Sequence, residues 1–113
     1  MNLLQGLLQE ELENSQNRLH AYRKGMAALP QGALYRRFIR DRPYWYIERR
    51  IHGKVVNQYV GVDVPKSDIE KFEKAKQERV NYRKAMALLR RQVAVLERAV
   101  DSLARKQGGH RAA

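Results

Sequence analysis

Cysteine is absent from this 113-residue sequence, and proline and glycine are scarce, at three and seven residues. Without cysteine, disulfide bonds, zinc–thiolate sites and thiol nucleophiles are excluded. So little proline and glycine argues against long disordered tracts. No apolar run approaches the roughly 18 residues that cross a membrane, and the N-terminus lacks the basic and apolar regions of a signal peptide. We therefore expect a cytoplasmic protein that does not bind membranes.

Acidic residues are also few. The sequence has 12 Asp and Glu and 23 Lys and Arg, which gives a net charge of +11. Residues 1–17 hold three acids and no base, residues 18–54 hold ten bases against two acids, and residues 55–113 hold thirteen against seven. A concentrated positive field attracts phosphate backbones. The charge predicts DNA or RNA as a partner. A basic surface that only confers solubility is the alternative.

Two segments have helical periodicity. Over residues 3–29 apolar side chains recur at steps of three and four, and Pro30 cannot continue the helix. Over residues 67–106 a coiled-coil seam alternates steps of four and three, through Tyr82, Met86, Leu89, Val93, Leu96, Val100 and Leu103. Ser67 followed by Glu70 predicts a capping box at its start. Because the second helix is longer, part of its seam is expected to need a homodimer or a partner helix.

Residues 33–61 are rich in aromatic and β-branched residues, which favour strands. Asp41-Arg42 and His52-Gly53 are the candidate two-residue turns. The sequence predicts an α+β fold made of a long helix, a three-stranded antiparallel β-meander and a longer helix, with the helices paired as an antiparallel coiled coil. We expect a single domain over residues 1–107 and a flexible tail over 108–113.

Counting from these turns assigns the strand residues to two faces. An apolar face, which the helices are expected to cover, holds Leu34, Phe38, Trp45, Ile47, Ile51, Val56 and Val60. The opposite face holds Tyr35, Arg37, Ile39, Tyr44, Tyr46, Glu48, Arg50, Val55, Asn57 and Tyr59. Since side chains alternate along a strand, a slip of one residue would exchange the two faces.

The second face predicts a nucleic-acid-binding surface, since phenol rings stack on bases and guanidinium groups pair with phosphates. The main contacts are expected from Arg37, Tyr44, Tyr46, Arg50 and Tyr59, supported by Arg36, Arg40, Arg42, Arg49 and Lys54. Two alternatives stay open. Tyrosines also pack across the strands of solvent-facing sheets, and Tyr and Arg are enriched at protein interfaces.

Signals for other chemistry are weak. His20, His52 and His110 fall on different elements without a ligand pattern around them. No glycine-rich phosphate loop or nucleophile motif is present. We therefore predict a protein that is not an enzyme, with no catalytic residue, metal, cofactor or small-molecule substrate.

Three segments carry a resemblance to a known family: LPQGAL at 29–34, RPYWYI at 42–47 and GKVVNQYVG at 53–61. They resemble the "LPxGSL", "PYWYL" and "GGKxxSxYVG" motifs of a family of small uncharacterised bacterial and archaeal proteins with a long C-terminal helix. Many members have a cysteine cluster before the Pro-Tyr segment. Residues 38–42 have none, so a metal role there does not carry over. The resemblance implies the fold but no activity. The meander is also similar in shape alone to the DNA-binding sheets of integrase arm domains.

The leading interpretation is a non-enzymatic nucleic-acid-binding accessory or regulatory protein. The second is a coiled-coil adaptor, inhibitor or antitoxin-like protein that acts on a nucleic-acid-handling partner. Binding of the basic helix to a membrane surface is less favoured, because its apolar stripe is narrow.

Overall fold

A computed structural model describes residues 2–108 of the chain, which form two helices and three strands. In chain order the elements are α1 (Leu3–Ala27), β1 (Ala33–Ile39), β2 (Arg42–Ile51), β3 (Lys54–Gly61) and α2 (Lys66–Gly108). The predicted α+β class and element order are confirmed. Of the predicted tail, residues 109–113 lie outside the described residues.

Two compact units divide this chain. The helical unit joins α1 to the part of α2 from Asn81 onward, and the sheet unit, Ala28–Val80, holds the strands and the start of α2. The single domain expected over residues 1–107 stays a prediction. Among the described residues, neither helix has a stretch apolar enough to cross a bilayer.

In the helical unit the two helices pack antiparallel, as predicted. Leu19, Met86 and Leu89 are buried together, and the ring of Tyr22 lies 5.8 Å from that of Tyr82. A later residue of α1 therefore meets an earlier residue of α2. Gly25 permits this close approach, because a Cβ built there would lie 2.5 Å from the hydroxyl oxygen of Tyr82.

The sequence led us to expect that part of the α2 seam is uncovered, but the structure does not show an exposed seam residue in the described helical unit. In the helical unit its members are buried or half-buried through to Leu103, and further upstream Ala75 is only 2% exposed. Arg79 lies three residues before Tyr82, where the seam would continue upstream, and its guanidinium donates a hydrogen bond to the carbonyl oxygen of Pro30. Self-association stays a prediction, but an uncovered seam does not support it.

The helix ends differ from the predicted ones by one or two residues. α1 stops at Ala27 rather than residue 29, because the residue before Pro30 is disfavoured in the helical conformation. The capping box predicted at Ser67 is wrong. The carbonyl oxygen of Pro65 accepts hydrogen bonds from the backbone N–H groups of Asp68 and Ile69, at 3.0 and 3.2 Å, which places Ser67 inside the first turn.

The sheet has the order β1-β2-β3, and both of its connections are two-residue turns with positive φ at each position. The His52-Gly53 turn is confirmed, with φ of 50° and 79°. The turn predicted at Asp41-Arg42 is wrong, because Arg40 and Asp41 form it, with φ of 52° and 64°. Since proline forces its predecessor into an extended conformation, Arg42 before Pro43 belongs to the strand.

This displaced turn moves the register between β1 and β2 by two residues. Phe38 lies opposite Pro43 rather than Trp45, and Leu34 lies opposite Ile47. A shift of two preserves the face of every side chain, so the predicted faces stand. Between β2 and β3 the predicted register holds as far as Tyr46. An irregularity then pairs Trp45 with Gly61 instead of Val60.

The expected cover over the apolar face is largely missing. Leu34, Trp45 and Ile47 are half-buried, whereas four other members are 42–59% exposed: Phe38, Ile51, Val56 and Val60. Within the sheet unit, Leu34 of β1 lines one depression together with Phe72 and Arg79 of α2. No side chain of the three strands, all of them described, is buried.

Candidate nucleic-acid interface

A row of four tyrosine rings crosses all three strands on one side of the sheet. Tyr35 stacks on Tyr46 at 5.7 Å between ring centroids, and Tyr46 meets Tyr59 edge-on at 5.5 Å. Tyr44 extends the row, 6.3 Å from Tyr59. Tyr46 pairs across the sheet with Tyr35 and with Tyr59, so the alternation of side chains brings the rings together. We call this side the tyrosine face.

The tyrosine face is accessible along its length. Tyr59 is 52% exposed and Val55 53%, while Tyr35, Tyr44 and Tyr46 are half-buried, and each of these three rings contacts another ring of the row. The rings therefore offer part of their π surface to a ligand while their neighbours restrict their rotation. Such restriction lowers the entropy lost on binding.

Guanidinium groups flank the row. Arg37 lies 6.0 Å from the centroid of the Tyr46 ring, which is within the range of a cation–π contact. Arg50 is exposed further along the same strand as Tyr46, and both alternate onto the tyrosine face. Glu48, also exposed, reduces the positive charge between them. The face therefore carries separated cations next to rings.

A second basic element lies at the turn between β1 and β2. Ile39, Arg40, Arg42 and Tyr44 line a shallow depression there. Arg40 occupies the turn itself, and Arg42 pairs with Ile39 on the tyrosine face. Both arginines are exposed. Two arginines and a tyrosine that line one depression supply donors of the kind that bind phosphate oxygens.

The structure places the other predicted cations on the opposite side of the sheet. Arg36 lies over the rings of Phe38 and Trp45, at 4.7 and 5.8 Å. Arg49 is half-buried and donates a hydrogen bond to Gln58 at 3.2 Å. Lys54, beside the second turn, alternates to that side too. These three do not share the tyrosine face.

The ten predicted site residues thus divide into two groups. One group surrounds the tyrosine face and its basic turn: Arg37, Arg40, Arg42, Tyr44, Tyr46, Arg50 and Tyr59. The other group is Arg36, Arg49 and Lys54. Tyr35 was assigned to this face by alternation but left out of the predicted contacts, and its stacking on Tyr46 gives it a place in the row. The pairing of Tyr35 with Tyr46 follows from the turn at Arg40-Asp41, so the misplaced turn concealed it.

Metal chemistry has no visible basis in the described part of the chain. Among residues 2–108, no three His, Asp or Glu side chains are grouped closely enough to hold a metal ion. The absence of a metal and of catalysis stays a prediction.

A family model matches residues 3–71, which include α1, the whole sheet and the first residues of α2. The chain belongs to the family described as Domain of unknown function (DUF6788). The predicted membership of an uncharacterised family is confirmed. The tyrosine face lies entirely within the matched segment of this DUF6788 chain. No curated protein and no solved structure matches the chain.

Proposed function

We propose that this protein binds nucleic acid without catalysis, as an accessory or regulatory factor, through the tyrosine face. The observation that carries the proposal is the accessible row of four rings with arginines beside it. Rings stack on bases of any identity, and the guanidinium groups pair with the backbone. Because the bases must be unstacked to reach rings on a sheet, single strands or loops are the favoured form.

The charge distribution supports the same proposal. The described strands and turns, residues 33–61, carry seven Lys and Arg against two acids. Each phosphate contact releases condensed counterions, so binding should weaken steeply as salt rises. A cytoplasmic location agrees with such a ligand. The motif resemblance further implies a bacterial or archaeal source.

A titration tests the proposal. Labelled single- and double-stranded DNA and RNA are titrated at two salt concentrations with the wild type and with the variant Arg37→Ala/Tyr46→Ala/Arg50→Ala. We expect the variant to bind every ligand more weakly. The matched control is Tyr22→Phe/Arg83→Ala/Arg98→Ala, which also removes two cations and alters one tyrosine, but in the helical unit.

Two results would contradict the proposal. One is an absence of binding by the wild type even at low salt. The other is an equal loss of affinity in both variants, since that would show a response to net charge alone.

The apolar face favours a second candidate function. Phe38, Ile51, Val56 and Val60 are exposed on the other side of the same sheet. Exposed apolar groups beside Arg36 and Lys54 suit an acidic protein partner, as expected for an adaptor, inhibitor or antitoxin-like protein. Loss of partner binding on Phe38→Ser/Val60→Ser, with nucleic-acid affinity unchanged, would favour this candidate.

A further inference from the structure

The helical unit carries a second stripe on each of its helices, separate from the seam between them. On α2 five uncharged residues follow steps of three and four in an otherwise charged helix: Ala85, Leu88, Gln92, Val95 and Ala99. On α1 the same steps pass through Leu4, Leu7, Glu11, Asn14 and Arg18. A helix with two stripes of this kind contacts two neighbours. We call these five plus five residues the second stripes.

The second stripes are exposed where their side chains are large. Leu88 and Val95 are 57% and 56% exposed, and Leu4 and Leu7 are 55% and 54% exposed. Solvent-facing helix positions seldom carry so many large aliphatic side chains in one register without a partner. The apolar surface therefore needs an occupant.

Both stripes border one groove of the helical unit. Glu11 and Arg18 line it from α1, while Leu88, Gln92 and Val95 are among the residues that line it from α2. The stripes thus form one surface across the helix pair. The middle of this surface lies at Asn14 on α1, about midway between Glu11 and Arg18. On α2 it lies at Gln92, about midway between Leu88 and Val95.

This surface is complementary to itself. A two-fold axis perpendicular to the helices at the level of Asn14 and Gln92 brings Glu11 of one copy to Arg18 of the other, twice. The same axis brings Leu88 to Val95. Glu11 and Arg18 lie only 4.0 Å apart within one chain and are both more than half exposed, so each can also reach a second partner. Closed two-fold symmetry requires this reciprocity.

The charges of α1 also favour an antiparallel second copy. Its first part, up to residue 17, holds three acids and no base, whereas residues 18–27 hold three bases and no acid. Two antiparallel copies place the acidic part of one helix beside the basic part of the other. A parallel arrangement would set like charges together, which is unfavourable.

We infer that the second stripes are the interface of an antiparallel, two-fold symmetric homodimer, in which two helical units form a four-helix bundle. This dimer uses the second stripes, whereas the partner predicted from the helix lengths would cover the seam of α2. The inference does not rest on the proposed function, because it concerns other residues and another unit.

Single cysteines provide the first test, because the chain has none of its own. Asn14→Cys and Gln92→Cys place thiols close to the two-fold axis. Gln16→Cys places one on the other side of α1 and is the matched control, since residues 14, 16 and 92 are all exposed. Under mild oxidation of nuclease-treated protein, we expect a covalent dimer from the first two variants and little from the control.

Charge reversal provides the second test. Glu11→Arg and Arg18→Glu each set like charges against each other at two symmetric contacts, and should raise the dimer dissociation constant at least about tenfold. The double variant restores opposite charges and should return it close to the wild-type value. Sedimentation equilibrium measures the constants, and far-ultraviolet circular dichroism checks that each variant keeps its helices.

Several outcomes would overturn the inference. A wild-type monomer throughout the micromolar range removes the dimer. Cross-linking of Gln16→Cys as strong as that of Asn14→Cys moves the interface elsewhere. Failure of the double charge reversal to restore association contradicts the antiparallel register. Measurement without nucleic acid keeps all three results separate from the fate of the proposed function.

Discussion

Replacing Tyr59 by alanine separates ring stacking from charge in the proposed interface. Tyr59 is the most exposed ring of the row and touches two others, Tyr44 and Tyr46. If one base stacks on Tyr59, the alanine variant should lose about 1–3 kcal/mol of binding free energy, which is roughly a 5- to 150-fold larger dissociation constant. Tyr59→Phe keeps the ring, so its affinity should fall by less than about threefold. The salt dependence should not change in either variant.

The structure offers matched controls on the same face. Val55, on the same strand, is 53% exposed against 52% for Tyr59, so Val55→Ala removes an equally accessible side chain without a ring. It should alter the dissociation constant by less than about twofold, since surface substitutions typically act within about 0.5 kcal/mol. Arg50→Ala should instead reduce the slope of log affinity against log salt by about 0.7 for a single strand.

Fluorescence anisotropy with a labelled single-stranded oligonucleotide measures these constants at a series of salt concentrations. Urea unfolding must accompany it, because the loss of two ring contacts costs up to about 0.5–1.5 kcal/mol each in stability. All variants are therefore assayed well below their unfolding midpoints. The stacking argument would be refuted if Tyr59→Ala bound as well as Val55→Ala. A weakening by Tyr59→Phe equal to that by Tyr59→Ala would assign the effect to the hydroxyl group.

Three further predictions concern stability, measured as the free energy of unfolding in urea. Gly32→Ala should lower the free energy of unfolding by about 1–3 kcal/mol, because φ is +91° and a Cβ would lie 2.7 Å from the carbonyl oxygen of Glu48. An unchanged free energy would contradict this backbone geometry. Ser15→Ala should leave the free energy of unfolding within about 0.5 kcal/mol or raise it, since the buried Ser15 hydroxyl has no hydrogen-bond partner among residues 2–108. A loss above about 1 kcal/mol would reveal a partner. His52→Asn should raise it by a few tenths of a kcal/mol, because Asn tolerates the left-handed conformation of the turn better than His, and a decrease would indicate that the imidazole makes its own contacts.

The faces of the sheet could be predicted from the sequence although one turn was misplaced. Strand side chains alternate with a period of two, so only an odd error exchanges the faces. The turn at Arg40-Asp41 moved the register by two, and Tyr35 and Tyr46 still met on one side. The effect of Pro43 on Arg42 was the local signal that could have placed that turn correctly.

Burial was predicted less well, because it depends on what packs against an element rather than on its own pattern. The apolar alternation of Phe38, Ile51 and Val56 indicated a core face, yet all three are exposed. The second stripe of α2 has no strong apolar pattern in the sequence, since two of its five members are alanines and one is a glutamine. It differs from an ordinary solvated face because two large aliphatic side chains, Leu88 and Val95, are exposed on it.

The lack of a buried side chain in the sheet has a consequence for its motions. The hydrophobic effect adds little to its cohesion, so backbone hydrogen bonds and the tyrosine row hold the strands together. We expect the amide protons of β3 to exchange with deuterium far sooner than those around Leu89. A ligand bound to the rings would slow that exchange. Its affinity would be reduced by the entropy that the strands lose when their motions are restricted.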